Sequence, residues 1–133
     1  MTGEVRSGLA GTLGPLELAI LESVWRSGEV DVAHVVRDLG EGSAYSTVKT
    51  VMERLVGKGL LARRKQSRLY LYWATRSRAE VEDEVSARQV QRVIEGFGDM
   101  AVAHFVRSVR DDPARLRRVR DLLESLPDDE VLQ

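Results

Sequence analysis

The hydrophobic period of this sequence changes at residues 57–59, where two glycines interrupt it. Upstream, apolar residues recur at intervals of three and four, as on the buried face of a helix; they are Val48, Val51, Met52, Leu55 and Val56. Downstream, residues 60–64 and 68–73 flank a short polar turn, which predicts a strand, a turn and a second strand. Apolar groups occur on both faces of this hairpin, so the pattern leaves open which face is buried. The chain must therefore pass directly from a helix into a β-hairpin.

Two shorter helices are predicted before this transition. Pro15 suits the first position of a helix, where its missing N–H group costs nothing. Asp31 is a good N-cap for the second helix, which Gly40 ends, and Ser43 is the expected cap of the third. Residues 1–12 are glycine-rich and aperiodic, and we expect them to form a flexible tail.

The remainder of the chain is predicted to be helical. Ser77 and Glu80 form a capping box at the start of a long helix. A second apolar segment follows, and Pro113, preceded by Asp112, begins a last helix. The predicted fold class is therefore mainly α with a small β-hairpin.

Positive charge is concentrated in one stretch of the chain. Residues 43–73 carry seven basic side chains and one acidic side chain, Glu53, although the 133-residue chain has a formal net charge of −1. Polyanions respond to such a local patch rather than to the net charge. A helix fits the major groove of DNA and a hairpin beside it supplies phosphate contacts, so three helices followed by a basic hairpin indicate a winged helix-turn-helix. The candidate DNA-binding residues are Ser46, Thr47, Lys49, Thr50, Arg54, Arg63, Arg64, Lys65 and Arg68.

Two other interpretations of the basic stretch stay open. A run of charges is most often only a solvated face. Alternatively, the winged-helix unit is a protein-interaction module in a larger assembly, and its basic face meets an acidic partner. Selection among random duplexes separates these alternatives, because only a sequence-specific DNA-binding protein enriches one sequence.

Three motifs resemble the BlaI/MecI-type penicillinase repressor family of winged helix-turn-helix transcriptional regulators. They are LGPLELAILESVW, AYSTVKTVMERLVGKGLL and RLYLY, and the resemblance runs from about residue 13 to residue 126. It implies a homodimeric repressor whose N-terminal domain binds a palindromic double-stranded DNA operator. Ser46, Thr47, Lys49 and Thr50 match the recognition-helix positions of the family, and Arg63, Arg64, Lys65 and Arg68 match its basic wing.

The C-terminal helices carry more apolar residues than a short segment can bury alone. We expect them to pair with a second copy, since two recognition helices read a palindrome; the alternative is that they fold back on the N-terminal domain. The expected segments are a winged-helix domain over residues 13–75, a helical dimerisation domain over residues 76–127 and a tail over residues 128–133. The predicted dimerisation residues are Val85, Val93, Ile94, Phe97, Met100, Val106, Leu116 and Leu122.

The resemblance also implies a release mechanism. In β-lactam-responsive members of the family, a membrane sensor protease system leads to cleavage at an Asn-Phe-Val sequence in the C-terminal region. His104, Phe105 and Val106 match that sequence with His in place of Asn, so the candidate cleavage residues are His104 and Phe105. A core position in a helix explains Phe105 equally well.

The composition argues against several functions. The chain has no cysteine, which excludes disulfides, thiolate metal sites and the Cys-x-Cys motif of copper-responsive relatives. Its two histidines, His34 and His104, are far apart in sequence, so we expect no metal site and no cofactor. No nucleophile–base pair or phosphate-binding motif is evident, so we expect no catalytic residues and no enzyme activity. No apolar run reaches the roughly 18 residues of a membrane span, so we expect a cytoplasmic protein without membrane insertion.

Overall fold

The computed structural model describes residues 8–126, which contain six α-helices, two β-strands and a short 3-10 helix at Gly8–Gly11. The chain divides into two compact units, residues 1–87 and residues 88–133. In chain order the elements are α1 (Pro15–Ser27), α2 (Val32–Leu39), α3 (Tyr45–Gly57), β1 (Leu61–Gln66), β2 (Leu69–Ala74), α4 (Arg78–Phe97), α5 (Asp99–Arg110) and α6 (Pro113–Ser125). The predicted order of three helices, a hairpin and further helices is confirmed, and with it the mainly α fold class with a small hairpin.

Local sequence signals account for the starts of several helices. The carboxylate of Asp31 caps α2 by accepting a backbone hydrogen bond. At the start of α4, Ser77 and Glu80 each accept a hydrogen bond from the backbone N–H of the other. The predicted cap of α3 is wrong. Ala44 rather than Ser43 occupies the N-cap position, in an extended conformation and without a side-chain hydrogen bond.

One hydrophobic core joins α1, α2, α3 and the hairpin in the first unit. The apolar stripe of α3 is buried as its spacing predicts, with Met52 and Leu55 completely inaccessible to solvent. Burial of this stripe directs the opposite face of α3 away from the core. The other apolar or aromatic side chains with less than 2% exposure in this core are Leu9, Ile20, Leu21, Val24, Val35, Val48, Leu61 and Tyr72.

The buried face of the hairpin is the one that carries tyrosines. Its antiparallel register pairs Arg63 with Tyr72 and Lys65 with Tyr70. Directly opposed residues share a face of the sheet, so these four side chains lie on the face that buries Tyr72 completely. On the other edge of β2, the backbone of Val30 exchanges two hydrogen bonds with Tyr72, of 2.9 and 2.7 Å. The connection between α1 and α2 therefore holds the hairpin in place.

The ordered structure begins before Leu13. Residues 1–12 are expected to form a flexible tail, but Gly8–Gly11 is a 3-10 helix and Leu9 is only 1% exposed, within the core. One apolar side chain among glycines has no periodicity, which is why the sequence pattern does not reveal this contact. Residues 1–7, like the expected C-terminal tail, lie outside the described part of the chain.

The first unit also includes the N-terminal part of α4. Val81 and Val85 are 4% and 5% exposed and belong to the same core as α1 and α3. A dimerisation residue, as Val85 is predicted to be, must be accessible to a second copy. In the structure Val85 is a core residue and is not accessible. Helical spacing identifies an apolar stripe but does not tell which part of the stripe each neighbour covers.

The second unit contains the end of α4 together with α5 and α6. Gly98, with a φ of 57°, makes the turn between α4 and α5, and the Asp112 carboxylate caps α6. Val109 is buried, 6% exposed, whereas many other apolar side chains of this unit are exposed. Among the described residues, no helix combines the length and the apolar character needed to cross a membrane.

Leu9→Ala should lower the free energy of unfolding by about 2–5 kcal/mol, because it removes a buried side chain and leaves a cavity. Leu69→Ala is the matched control, since Leu69 is 51% exposed and surface substitutions change stability by about 0.5 kcal/mol. Urea unfolding of both variants measures the difference. Equal effects of the two substitutions would contradict the position of Leu9 in the core.

Candidate nucleic-acid interface

The exposed face of α3 carries the short polar side chains that the sequence analysis assigns to DNA contact. Ser46, Thr47 and Thr50 are exposed, and Lys49 is half-buried. Ser46 and Thr50 are one helical turn apart, opposite the stripe that packs in the core. Arg54 is also exposed, one turn further along the helix. All five predicted residues of α3 are therefore outside the core.

The hairpin separates its basic residues onto two faces. Arg63 and Lys65 lie on the face of Tyr70 and Tyr72, whereas Arg64 lies opposite Leu71 on the other face. Arg68 is in the two-residue turn between the strands, next to Ser67, which has a φ of 61°. The four predicted wing residues thus do not form one surface. Alternation along a strand predicts this separation once the buried face is known.

Glu53, the single acidic residue of the basic stretch, joins α3 to the hairpin. Its carboxylate accepts a hydrogen bond from the hydroxyl of Tyr72 and forms a salt bridge of 3.1 Å with Arg63. The guanidinium of Arg63 also lies over the ring of Tyr70, 4.2 Å from its centroid. Two groups of the hairpin are therefore anchored to one carboxylate on the helix.

Burial raises the pKa of the Tyr72 hydroxyl well above its usual value of 10. The hydrogen bond to Glu53 and the negative charge of that residue raise it further, and Arg63 opposes them only in part. The phenol stays protonated and remains a hydrogen-bond donor throughout the physiological pH range.

Two other cations of the basic stretch are held by carboxylates of the first unit. Arg64 makes two hydrogen bonds to Glu29, of 2.8 and 3.3 Å, which lower the pKa of that carboxyl. Lys58 donates a 2.8 Å hydrogen bond to Glu17, which is 7% exposed. Each of these partners precedes the stretch in sequence, so the lack of acidic residues within it does not show that its cations are unpaired.

The other four cations make no salt bridge to any described carboxylate; they are Lys49, Arg54, Lys65 and Arg68. Lys49 and Arg68 line one small cavity of about 60 Å³ together with Tyr45 and Tyr70. This cavity lies where α3, the start of α2 and the hairpin turn meet. The structure therefore brings a cation of α3 and a cation of the wing close together.

Sequence reasoning missed four residues of this surface. Tyr45, the first residue of α3, is 52% exposed, and Tyr70 lies beside Lys49 and Arg63. The sequence distinguishes Glu53 only by its charge, and it does not single out Glu29. The alternation of aromatic and basic residues in the hairpin is a signal for Tyr70, but no sequence signal pairs Glu29 with a residue 35 positions away.

The predicted dimerisation and cleavage residues other than Val85 lie in the second unit. Leu116 is half-buried, and the others are 43–62% exposed: Val93, Ile94, Phe97, Met100, Val106 and Leu122. His104 is exposed on α5, and the adjacent Phe105 is 56% exposed. Phe105 lines an apolar cavity of about 450 Å³ between α4 and α5. The remaining histidine, His34, has its Nε2 2.9 Å from the Ser27 hydroxyl.

The model of the penicillinase repressor family matches residues 13–125. The chain belongs to this family. Members of the penicillinase repressor family are DNA-binding transcriptional repressors and not enzymes.

Individual relatives are similar over most of the chain. The transcriptional regulator BlaI of Mycobacterium tuberculosis is 30% identical over 118 residues, covering 85% of this chain and 86% of that protein. The penicillinase repressor of Bacillus licheniformis is 22% identical over 110 residues, covering 81% and 86% of the two chains. A solution structure of the DNA-binding domain of the repressor BlaI, 21% identical, covers 51% of this chain and 85% of its own, with a TM-score of 0.46.

Glu17→Gln should destabilise the protein by about 1 kcal/mol at pH 7. Burial raises the pKa of Glu17, but hydrogen bonds from Lys58 and Gly14 and the charges of Lys58 and Arg54 outweigh it, so the pKa lies below its usual value. The stabilisation is therefore complete above the unfolded-state pKa of about 4.3 and is lost as the pH falls through the lower folded-state value.

Denaturant unfolding from pH 7 to pH 2.5 measures this difference, with Glu29→Gln as the control because its ion pair with Arg64 is exposed. The stability gap between wild type and Glu17→Gln should close at acidic pH. A gap that persists unchanged at pH 2.5 would show that the charge of Glu17 is not its source.

Proposed function

We propose that this protein is a sequence-specific transcriptional repressor that binds a palindromic DNA operator as a homodimer. In this proposal α3 is the recognition helix, which enters the major groove, and the hairpin is the wing, which lies along the phosphate backbone. The observation that carries the proposal is the set of four cations on α3 and the wing that make no salt bridge to a described carboxylate, beside the exposed Ser46 and Thr50.

The charge of this surface supports the proposal. A cation that already pairs with a carboxylate gains less binding free energy from a phosphate, because the existing ion pair must first be broken. Lys49, Arg54, Lys65 and Arg68 make no salt bridge to a described carboxylate, so no such bridge has to be broken before nucleic acid contacts them and releases its condensed counterions.

The apolar surface of the second unit supports the dimer. Phe97, Met100 and Leu123 are 62–63% exposed, together with eight other large apolar side chains in the described part of this unit that are at least 42% exposed. Exposed apolar surface of this extent is typical of protein interfaces. In a homodimer the second copy covers it, and the two-fold axis presents two recognition helices to two half-sites.

We retain two predictions about release of the operator. The first is that proteolysis causes it, and the second is that a membrane sensor protease system is involved. The candidate bond between His104 and Phe105 lies inside α5. Because a protease binds an extended segment, α5 must unfold locally before this bond is cut. Cleavage there would separate α6 from the apolar residues of α4.

The proposal is tested by selecting duplexes from a random pool with the purified protein. It predicts enrichment of one motif with two inverted halves. Binding without enrichment, or enrichment of a motif without inverted symmetry, would contradict it. Binding without enrichment would favour an interaction module whose basic face meets an acidic partner.

Arg68→Ala should weaken binding to all duplexes and reduce the slope of log K against log salt by about 1, since it removes one phosphate contact. Arg64→Ala is the matched control in the same wing. Arg64 is held by Glu29 on the other face of the hairpin, so its removal should leave the slope nearly unchanged. Fluorescence anisotropy at four salt concentrations measures both slopes, and a larger change for Arg64→Ala would refute this division of roles.

Phe97→Glu should convert the dimer into a monomer, because it places a charge in the apolar surface of the second unit. Gln91→Glu, an exposed polar position of α4, introduces the same charge outside that surface and should remain dimeric. Sedimentation equilibrium gives the mass of each variant. The dimer is contradicted if wild-type protein sediments as a monomer of 14.9 kDa at micromolar concentration.

A further inference from the structure

One aromatic ring, that of Tyr70, lies beside two cations from different elements. The Lys49 ammonium on α3 is 5.5 Å from the centroid of the ring. The guanidinium of Arg63 on β1 is 4.2 Å from the same centroid. Both distances are within the roughly 6 Å range of a cation–π interaction. Tyr70 is thus in contact with the helix and with the wing at once.

An aromatic ring orients a cation without neutralising it. A carboxylate cancels the charge that it holds, as Glu29 does for Arg64. The ring of Tyr70 attracts Lys49 through its quadrupole but has no net charge. Lys49 forms no salt bridge within the described part of the chain, so no ion-pair partner has to be displaced while the ring restrains it.

A restrained lysine loses less freedom when it binds. A flexible lysine side chain gives up about 1.5–2 kcal/mol of rotamer entropy when it is immobilised. Contact with Tyr70, in the cavity that Lys49 shares with Arg68 and Tyr45, imposes part of that ordering in the folded protein before DNA is bound. Preorganisation of this kind increases affinity without a new contact.

We infer that Tyr70 is a positioning residue that orients Lys49 for its contact with the operator and thereby couples the wing to the recognition helix. The inference rests on the proposed function. The hydroxyl of Tyr70 is not required, because the ring alone makes the contact. Removal of the whole ring should therefore weaken DNA binding, whereas removal of the hydroxyl alone should not.

The test compares Tyr70→Leu with Tyr70→Phe on the duplex selected from the random pool. Tyr70→Leu should weaken binding to that duplex about 5- to 30-fold, because the entropy cost of ordering an unrestrained Lys49 then falls entirely on the binding step. Tyr70→Phe should remain within about twofold of wild type. Binding to a random duplex and the salt dependence should change little in either variant, because neither substitution removes a charge.

A double-mutant cycle with Lys49→Met separates positioning from a general structural effect. In the Lys49→Met background, Tyr70→Leu should have less than half of its effect on log affinity. A purely structural role predicts the same effect in both backgrounds. Thermal unfolding accompanies each variant, and if Tyr70→Leu does not fold, Tyr70→Met replaces it in the same cycle.

Three outcomes overturn the inference. A wild-type protein that enriches no duplex removes the proposed function and the role of Tyr70 with it. If the wild-type protein enriches a duplex but Tyr70→Phe binds that duplex as weakly as Tyr70→Leu, only the role of the ring is refuted. Additive effects of Tyr70→Leu and Lys49→Met remove only the coupling to Lys49.

Discussion

The hydrogen bond from the buried Tyr72 hydroxyl to Glu53 determines how the hairpin lies against α3. Tyr72 has no exposed surface, and a buried hydroxyl without an acceptor is costly. The same carboxylate holds Arg63, which lies over the ring of Tyr70. The backbone of Val30 fixes β2 from its other edge. Because Tyr72 and Glu53 take part in several of these contacts, α3 and the hairpin keep one relative position.

This arrangement explains how a chain with a net charge of −1 displays a basic surface. Three of the seven cations in the basic stretch stabilise the unit through Glu17, Glu29 and Glu53. The other four have no carboxylate partner among the described residues. The acidic residues that balance the total charge thus either form salt bridges within the first unit or lie elsewhere in the chain. Membership of the penicillinase repressor family agrees with this surface, since the family binds DNA.

Much of the fold follows from local signals in the sequence. The apolar stripe of α3, the cap at Asp31 and the change of period after Gly57 are each visible within a few residues. What the sequence does not reveal depends on distant contacts. Leu9 has no periodic neighbours, and the salt bridge of Arg64 joins positions 35 residues apart. The buried face of the hairpin is likewise decided by its packing on α3, because both of its faces carry apolar groups.

In the proposed complex, the exposed face of α3 and the adjoining wing form the surface that contacts DNA. Titration of ¹⁵N-labelled protein with the selected duplex tests it most directly, because each backbone amide reports on its own surroundings. The account predicts that the largest chemical-shift changes occur at Ser46, Thr50 and Arg68, with small changes at Glu29 and along α6. Largest changes in residues 99–125, with α3 unaffected, would contradict it.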